Sequence, residues 1–585
     1  MAKLSAERRG RSSVRLWITI ALVVPLWPAR GVRAGGSEFP ADGARSAGRG
    51  GTGMARADDP TVMLRNPALL ADLWDNQALL SAHLGLVDAC FTPTGSAFWQ
   101  QGDDVYDPGD GALVAGDLIN EPLARLCYDG PTPFFPSVAF SLKLADDLGV
   151  GVGFFPPELA SLSQWGHRDG TYETPNGLRL NPLRFLGSHL NTTYFSLLGA
   201  VGYRLLPWLR VGFGFQWALV FVDTTTFATS SPDRRAAGDV RIDLRTKDLF
   251  IPGIVASVHL VPIDALDIAV GFKWSDRVQS DVTLDLLSAP FGVDEYLFPG
   301  QGGATRTVPT WSRGQRGELS APPIWVPQLS FSVRYAHRLR PRILQNEAGE
   351  TAAHGQVEDA FAAELFDVEL TAIYYVNSAF DQNVFYSDPS AASAQFRELD
   401  ANGSITPSTA TLGPCVDVVE EAGGGCRRTA NAVPFGGQDQ WSLRLGGDYN
   451  ILPGRLALRL GASFESDGAR RAYLNPRYYS FQRLGLHAGL TVRFGGGTDL
   501  HIAYAHFIQD DVRTQVNQDS SLPGNVSLRP EELSPEYNYY PGQHDGTAAI
   551  PIVYSKSTTR GPNFANAGDF VYHLDVLSLA LTQHF

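Results

Sequence analysis

Apolar and polar positions alternate along most of this chain with a period of two. Between Ala78 and Val87, Leu80, Ala82, Leu84 and Leu86 share one face, and Ser81, His83 and Gly85 share the other. Val138, Phe140, Leu142 and Leu144 oppose Ser137, Ala139, Ser141 and Lys143 in the same way. A tight Asp146-Asp147 turn follows, then Leu148, Val150, Val152 and Phe154 against Gly149, Gly151 and Gly153. Between Leu209 and Val222, seven large apolar residues from Leu209 to Phe221 oppose Arg210, Gly212, Gly214, Gln216 and Ala218. Alternation of this kind predicts β-strands. It marks fourteen of them, at 78–87, 138–144, 148–154, 193–204, 209–222, 254–261, 266–274, 328–338, 364–377, 440–449, 456–466, 481–494, 499–508 and 572–585.

The second face of these strands decides the environment. In a soluble sandwich it meets water and is rich in Lys, Glu and Thr. Here it is full of Gly, Ser and Ala, which suits strands lining a crowded interior while the apolar face meets lipid. The connections alternate too. Those at 145–147, 205–208, 262–265, 450–455 and 495–498 are tight; those at 88–136, 157–192, 223–253, 275–327, 378–439, 467–480 and 509–571 are long and polar. Short turns on one side and long loops on the other are the mark of an outer-membrane barrel. The predicted fold is all-β: a transmembrane antiparallel β-barrel of about 14 strands, residues 74–585, closed on itself because lipid does not tolerate an open sheet edge. One connection, 339–363, breaks the rule by being long where a short turn is due, and reads as a small periplasmic insertion or a slip in the strand count. The terminal Phe585 on an alternating strand resembles an outer-membrane assembly signal.

The first 34 residues read as a cleaved export signal: a basic stretch with Lys3, Arg8, Arg9, Arg11 and Arg15, an apolar run from Leu16 to Trp27, and Val32-Arg33-Ala34 at the cleavage site. Arg8-Arg9 leaves Sec and Tat export both open. Removing the leader's seven basic and one acidic residues from totals of 47 and 61 leaves 40 and 60, a net charge of −20. That argues against a nucleic-acid partner. Between leader and barrel, residues 35–73 form a Gly- and Ala-rich segment with a charged patch at Arg56, Asp58 and Asp59 and an ending at Asn66-Pro67-Ala68. Its small side chains suit close backbone packing against surrounding walls, so it reads as a plug inside the barrel. The four cysteines, Cys90, Cys127, Cys415 and Cys426, belong to an exported chain, where two disulfides are expected. Sequence leaves the pairing open; Cys90–Cys127 and Cys415–Cys426, each within one loop, is the favoured arrangement over a metal site.

Several stretches resemble the FadL-type transporters of long-chain fatty acids and the related toluene and xylene channels. Ser46-Ala47-Gly48, Gly50 to Gly53, Ala57 to Pro60 and Asn66-Pro67-Ala68 are similar to that family's N-terminal hatch, and Gly149 to Pro156 to its third strand, where a kink opens a side exit. Residues 251–281 also fit the family's sixth and seventh strands. The resemblance implies fourteen strands, a hatch and a lateral gate formed by Asn66, Pro67, Ala68, Gly149, Gly151, Gly153, Phe154 and Pro156. Leu69-Leu70 and Pro157-Glu158-Leu159 depart from the family's glycines.

Passive movement of a hydrophobic molecule needs an apolar path and no catalyst. Phe154, Phe155, residues 159–165, Phe291, Tyr296 and Phe298 are candidates for the outer part of that path. A fatty acid also needs a cation for its carboxylate, and alternation turns Arg334, Arg444, Arg459 and Arg483 inward as substrate-binding candidates. The alternative for these four is a structural ladder with Asp367, Glu369, Asp448 and Glu465. The sequence holds no serine elbow or zinc spacing, and the short acidic run at 400–404 lacks the downstream ligand of a calcium loop. No catalytic residue, metal site or cofactor is expected. The expected protein is a monomer in the outer membrane of a Gram-negative bacterium, in contact with lipid and lipopolysaccharide, taking up hydrophobic small molecules. A general porin or structural surface protein is the alternative reading, and a lipid hydrolase the third.

Overall fold

Side chains in the computed structural model take the faces that alternation assigns. The structure describes residues 43–585 apart from internal stretches, the longest being 101–117, 156–161, 230–238, 291–309, 342–357, 388–396, 408–414, 419–425 and 515–567. Fourteen strands form the wall: β1 (Gln77–Pro93), β2 (Phe134–Ala145), β3 (Leu148–Phe155), β4 (His189–Leu206), β5 (Leu209–Thr229), β6 (Asp239–Ile263), β7 (Leu266–Ser275), β8 (Gln328–Arg338), β9 (Glu364–Tyr375), β10 (Gln440–Leu452), β11 (Leu456–Glu465), β12 (Arg483–Phe494), β13 (Thr498–Gln509) and β14 (Gly568–His584). Each pairs antiparallel with the next, and β14 closes on β1 from Gln77 opposite His584 to Pro93 opposite Gly568. No edge is left in the wall, so its backbone groups are paired where lipid offers no partner.

On β5, Phe213, Phe215 and Trp217 are exposed on the outside, while Gly214, Gln216 and Ala218 are buried inside. Leu80, Phe140, Leu370, Leu445, Leu460, Leu486 and Leu579 continue this outer belt around the barrel. No helix among the described residues is long and apolar enough to cross a membrane; strands make the crossing.

Near the outer end the pattern changes phase. On β14 Leu577, Leu579 and Leu581 face out, but Phe570, Tyr572, Leu574 and Val576 face in and are buried. On β1 Leu80 and Leu86 face out, whereas Ala89 and Phe91 are buried inside. Apolar neighbours such as Val576-Leu577 mark the switch. Below it the outside meets hydrocarbon; above it the outside meets water, and the apolar residues turn inward.

Two expectations about the connections change. Residues 223–253 are largely strand, because β5 and β6 run on together from Val220 opposite Asp248 to Thr229 opposite Asp239. The hairpin formed by strands Val278–Ser288 and Thr310–Ala321 pairs onto the outer part of β6. The strand count does not slip at 339–363: β8 and β9 are direct neighbours, with Ser332 opposite Thr371. The described end of that connection forms a short helix, Ala360–Ala363, capped by Asp359, whose carboxylate accepts the Phe361 N–H at 3.0 Å.

Leu460, on the outer face of β11, tests the lipid assignment. Leu460→Arg is expected to destabilise the barrel by about 2–4 kcal/mol if Leu460 sits near the bilayer midplane, read from urea unfolding in phospholipid vesicles. Ser463→Thr, inside the same strand, should change stability far less.

Candidate functional site

The interior is organised by the N-terminal segment, and the wall glycines explain how it fits. A Cβ at Gly149 of β3 would lie 1.9 Å from the Leu70 carbonyl oxygen, and one at Gly212 of β5 would lie 2.0 Å from the Ala68 nitrogen. On the opposite wall, a Cβ at Gly446 of β10 would lie 1.9 Å from the Arg49 carbonyl oxygen. At these three inward glycines the segment's backbone touches the wall, at a distance no larger residue allows.

The segment has two chemically distinct halves. Residues 45–58 are held by charge. The Arg49 guanidinium reaches Asp367 at 2.6 Å, Asp448 at 3.2 Å and Glu369 at 3.3 Å. Arg56 reaches Asp367 at 2.9 Å and Asp58 at 2.6 Å, and Arg45 reaches Asp58 at 2.9 Å. The Glu369 carboxylate also accepts the Met54 and Ala55 N–H groups at 2.8 and 3.0 Å. Burial works to raise the pKa of Asp58, but Arg45, Arg56 and Arg49 outweigh it and hold this carboxyl well below the usual range. Its neighbour Asp59 is raised by burial, tempered by a hydrogen bond from Thr61. Residues 60–73 are held mainly by apolar contact: Val62, Met63, Leu64, Leu69, Leu70 and Leu73 form one cluster with Phe155, Leu198, Val220 and Val255 of the wall. Asp72, at the end of this half, adds a buried ion pair with Arg210 of β5 at 2.9 Å and Arg204 of β4 at 3.4 Å.

The predicted gate residues are divided between strands. Asn66 donates to the Met54 carbonyl at 2.6 Å, and the Ala68 N–H donates to Ser257 of β6 at 3.0 Å. The Pro67 and Ala68 backbone packs on Gly202 and Gly212, on β4 and β5. Gly149 and Gly151 of β3 meet Leu70 and Met63 instead, and Gly153 meets the Phe155 ring. Phe154 faces outward against Phe195, with ring centres 5.6 Å apart. Pro156 lies outside the described residues. From Leu148 to Phe155, β3 is paired with β4 without a break.

The four predicted arginines all face inward and are buried, and each already holds an acid. Arg334 binds Asp367 at 2.6 Å and Asp267 at 3.0 Å, and also Glu364. Arg459 binds Asp448 at 3.0 Å. Arg444 and Arg483 share Glu465 at 3.2 and 2.6 Å. This is the ladder arrangement. Asp367 and Asp448 belong both to it and to the clamp on Arg49 and Arg56.

Above the segment lies an apolar lining built by the phase change. Phe91, Phe135, Trp165, Phe481, Phe507 and Phe570 belong to one buried cluster. Trp165 closes the predicted 159–165 stretch; Phe291, Tyr296 and Phe298 lie outside the described residues. The Cys90–Cys127 disulfide, with an S–S distance of 2.05 Å, ties the strand at 126–127 to β1 and keeps Leu126 in this cluster. Cys415 and Cys426 lie on paired strands, opposite Thr429 and Val418; their side chains fall outside the described residues.

Solved structures share this architecture. A FadL homologue of Pseudomonas aeruginosa superposes with a TM-score of 0.59 at 14% identity, covering 94% of this chain and 100% of the other. The toluene transporter TbuX of Ralstonia pickettii gives 0.50 at 12% identity, over 94% and 99%. The toluene transporter TodX of Pseudomonas putida gives 0.51 at 11%, over 94% and 99%. The chain has the FadL-type fold. No family model matches its sequence, and no curated relative is detected; the likeness is carried by shape.

In this FadL-type barrel the clamp is tested by Asp367→Asn. Removing one partner from a buried ion cluster costs about 3–5 kcal/mol. The segment should then undock while the barrel stays closed, read as new protease cleavage within 43–73 alongside unchanged heat-modifiable migration of the barrel. Gly212→Val should give the same result through steric exclusion. The depressed Asp58 carboxyl contributes its share of docking above the ordinary carboxylate pKa. That share is lost as pH falls through its lower folded value, so protease sensitivity should rise on acidification.

Proposed function

We propose that this protein is a passive conduit for hydrophobic small molecules across the outer membrane, long-chain fatty acids or aromatic hydrocarbons being the classes to try first. The observation that carries the reading is the phase change. It lines the inside of the outer barrel end with Phe91, Phe507, Phe570 and Tyr572, where a water-filled porin has a polar lumen. A ligand entering from outside exchanges water for aromatic surface there. The solved structures with this fold include proteins named as toluene transporters, which supports the same class of cargo.

The segment 35–73 then acts as the hatch, and residues 1–34 as the leader removed on export. The apolar half of the hatch lies over β3 to β6 and carries a single acidic tie there, Asp72 to Arg210 and Arg204. We assign the exit to this side of the wall, past Gly149, Gly151 and Gly153. Arg483, which shares Glu465 with Arg444, lies 4.9 Å from the centre of the Phe507 ring in the aromatic lining. Contact of either arginine with a fatty-acid carboxylate requires that carboxylate to displace Glu465.

Purified protein in liposomes tests this directly. Labelled fatty acid or alkylbenzene should enter, and labelled sugar should not; sugar entry without hydrocarbon entry would establish a porin instead. Phe570→Asp should cut hydrophobic uptake about tenfold or more, since fully burying a Phe side chain contributes about 1.5–3 kcal/mol.

A further inference from the structure

We propose that Gln216, with Ser196 diagonally across on the neighbouring strand, seats an uncharged hydrogen-bonding head group, so that the preferred cargo is a hydrophobic alcohol, amide or similar molecule. This rests on the transport reading above. Gln216 projects inward from β5, opposite Leu198 of β4 and Gly253 of β6. It is fully buried, and neither end of its amide has a hydrogen-bond partner. Ser196 lies opposite Phe155 of β3 and Ala218 of β5. The Ser196 hydroxyl is buried and unpartnered as well.

These two neutral polar side chains border an apolar cluster that includes Phe155, opposite Ser196, and Leu198, opposite Gln216. Buried polar groups almost always find partners, and leaving one unpaired costs its full desolvation. A side-chain amide can both donate to and accept from a ligand hydroxyl or amide. The contrast with the arginines sets the charge of the ligand. Arg334, Arg444, Arg459 and Arg483 each hold a protein carboxylate, which an incoming anion has to displace. A neutral head meets no such competitor at Gln216. The apolar half of the N-terminal segment packs on this part of the wall, Leu69 and Leu70 sharing the cluster with Phe155 and Leu198. Movement of that half opens the seat.

The test uses the full-length barrel, reconstituted and purified, with radiolabelled 1-decanol, decanoate and decane in equilibrium binding and in uptake. In the native protein decanol should bind best. Gln216→Leu should weaken decanol about tenfold, leave decane unchanged and leave thermal stability equal or higher, because an unpaired amide has been removed. Ser196→Ala should act in the same direction more weakly. Equal loss of decanol and decane, or no loss of decanol, overturns the proposal. So does preference for decanoate that disappears in Lys273→Met, since Lys273, 4.2 Å above the Trp325 ring, would then be the head-group contact. Failure of all three ligands to bind or enter the native protein overturns the transport reading itself, a result separate from failure at Gln216.

Discussion

Hydrocarbon offers no hydrogen bonds, and that constraint shapes this molecule. A strand crossing the bilayer must find both neighbours, so the sheet closes, and the β1–β14 seam runs the full length of both strands. Closure creates an inside. Once there is an inside, every second side chain faces it, and fourteen strands enclose more room than their own side chains fill. The Gly, Ser and Ala on the inner face reflect what fills the rest: the backbone of residues 43–73, approaching the wall at Gly149, Gly212 and Gly446 more closely than any Cβ permits.

The segment is held by two kinds of force on two sides. On the β8–β11 side, Arg49 and Arg56 share Asp367 and Asp448 with Arg334 and Arg459. Such a buried cluster is weak evidence of net stability, because desolvation offsets much of the attraction, but breaking it is costly. It specifies position. On the β3–β6 side Leu, Met and Val pack against wall residues, a non-directional contact, and Asp72 is tied to Arg210 at 2.9 Å and Arg204 at 3.4 Å. Phe361, in the long 339–363 connection, braces the clamped flank from the periplasmic end: its ring lies 5.9 Å from the Arg45 guanidinium and 4.9 Å from that of Arg493. Arg493 in turn binds Asp499 at 2.6 Å.

The same reasoning places the apolar lining. Above the bilayer the outer face of the wall returns to water, so Asp569, His573 and Asp575 face out on β14 while Phe570, Tyr572 and Leu574 face in. The change of phase at Val576-Leu577 is visible in the sequence once the bilayer boundary is known. Without that boundary it reads as one more apolar neighbour pair in a strand.

Strand number, strand faces and the lipid-facing belt were legible in the sequence because each follows from local alternation, and alternation is a property of one strand at a time. The inward direction of Arg334, Arg444, Arg459 and Arg483 was legible for the same reason, as was their pairing with inward acids as one of two readings. Three of the acids named for that ladder, Asp367, Asp448 and Glu465, are among the ones they hold. The clamp of the same acids on the N-terminal segment was not legible. Asp367 lies 318 positions from Arg49, and no local pattern joins a Gly-rich segment at one end of a chain to strands at the middle. Nor could the sequence show that Asn66-Pro67-Ala68 packs on β4 and β5, that Phe154 points into lipid, or that Gln216 is left without a partner. Those facts depend on which inner faces meet across the closed wall, and only the circular order of the strands around the segment decides that.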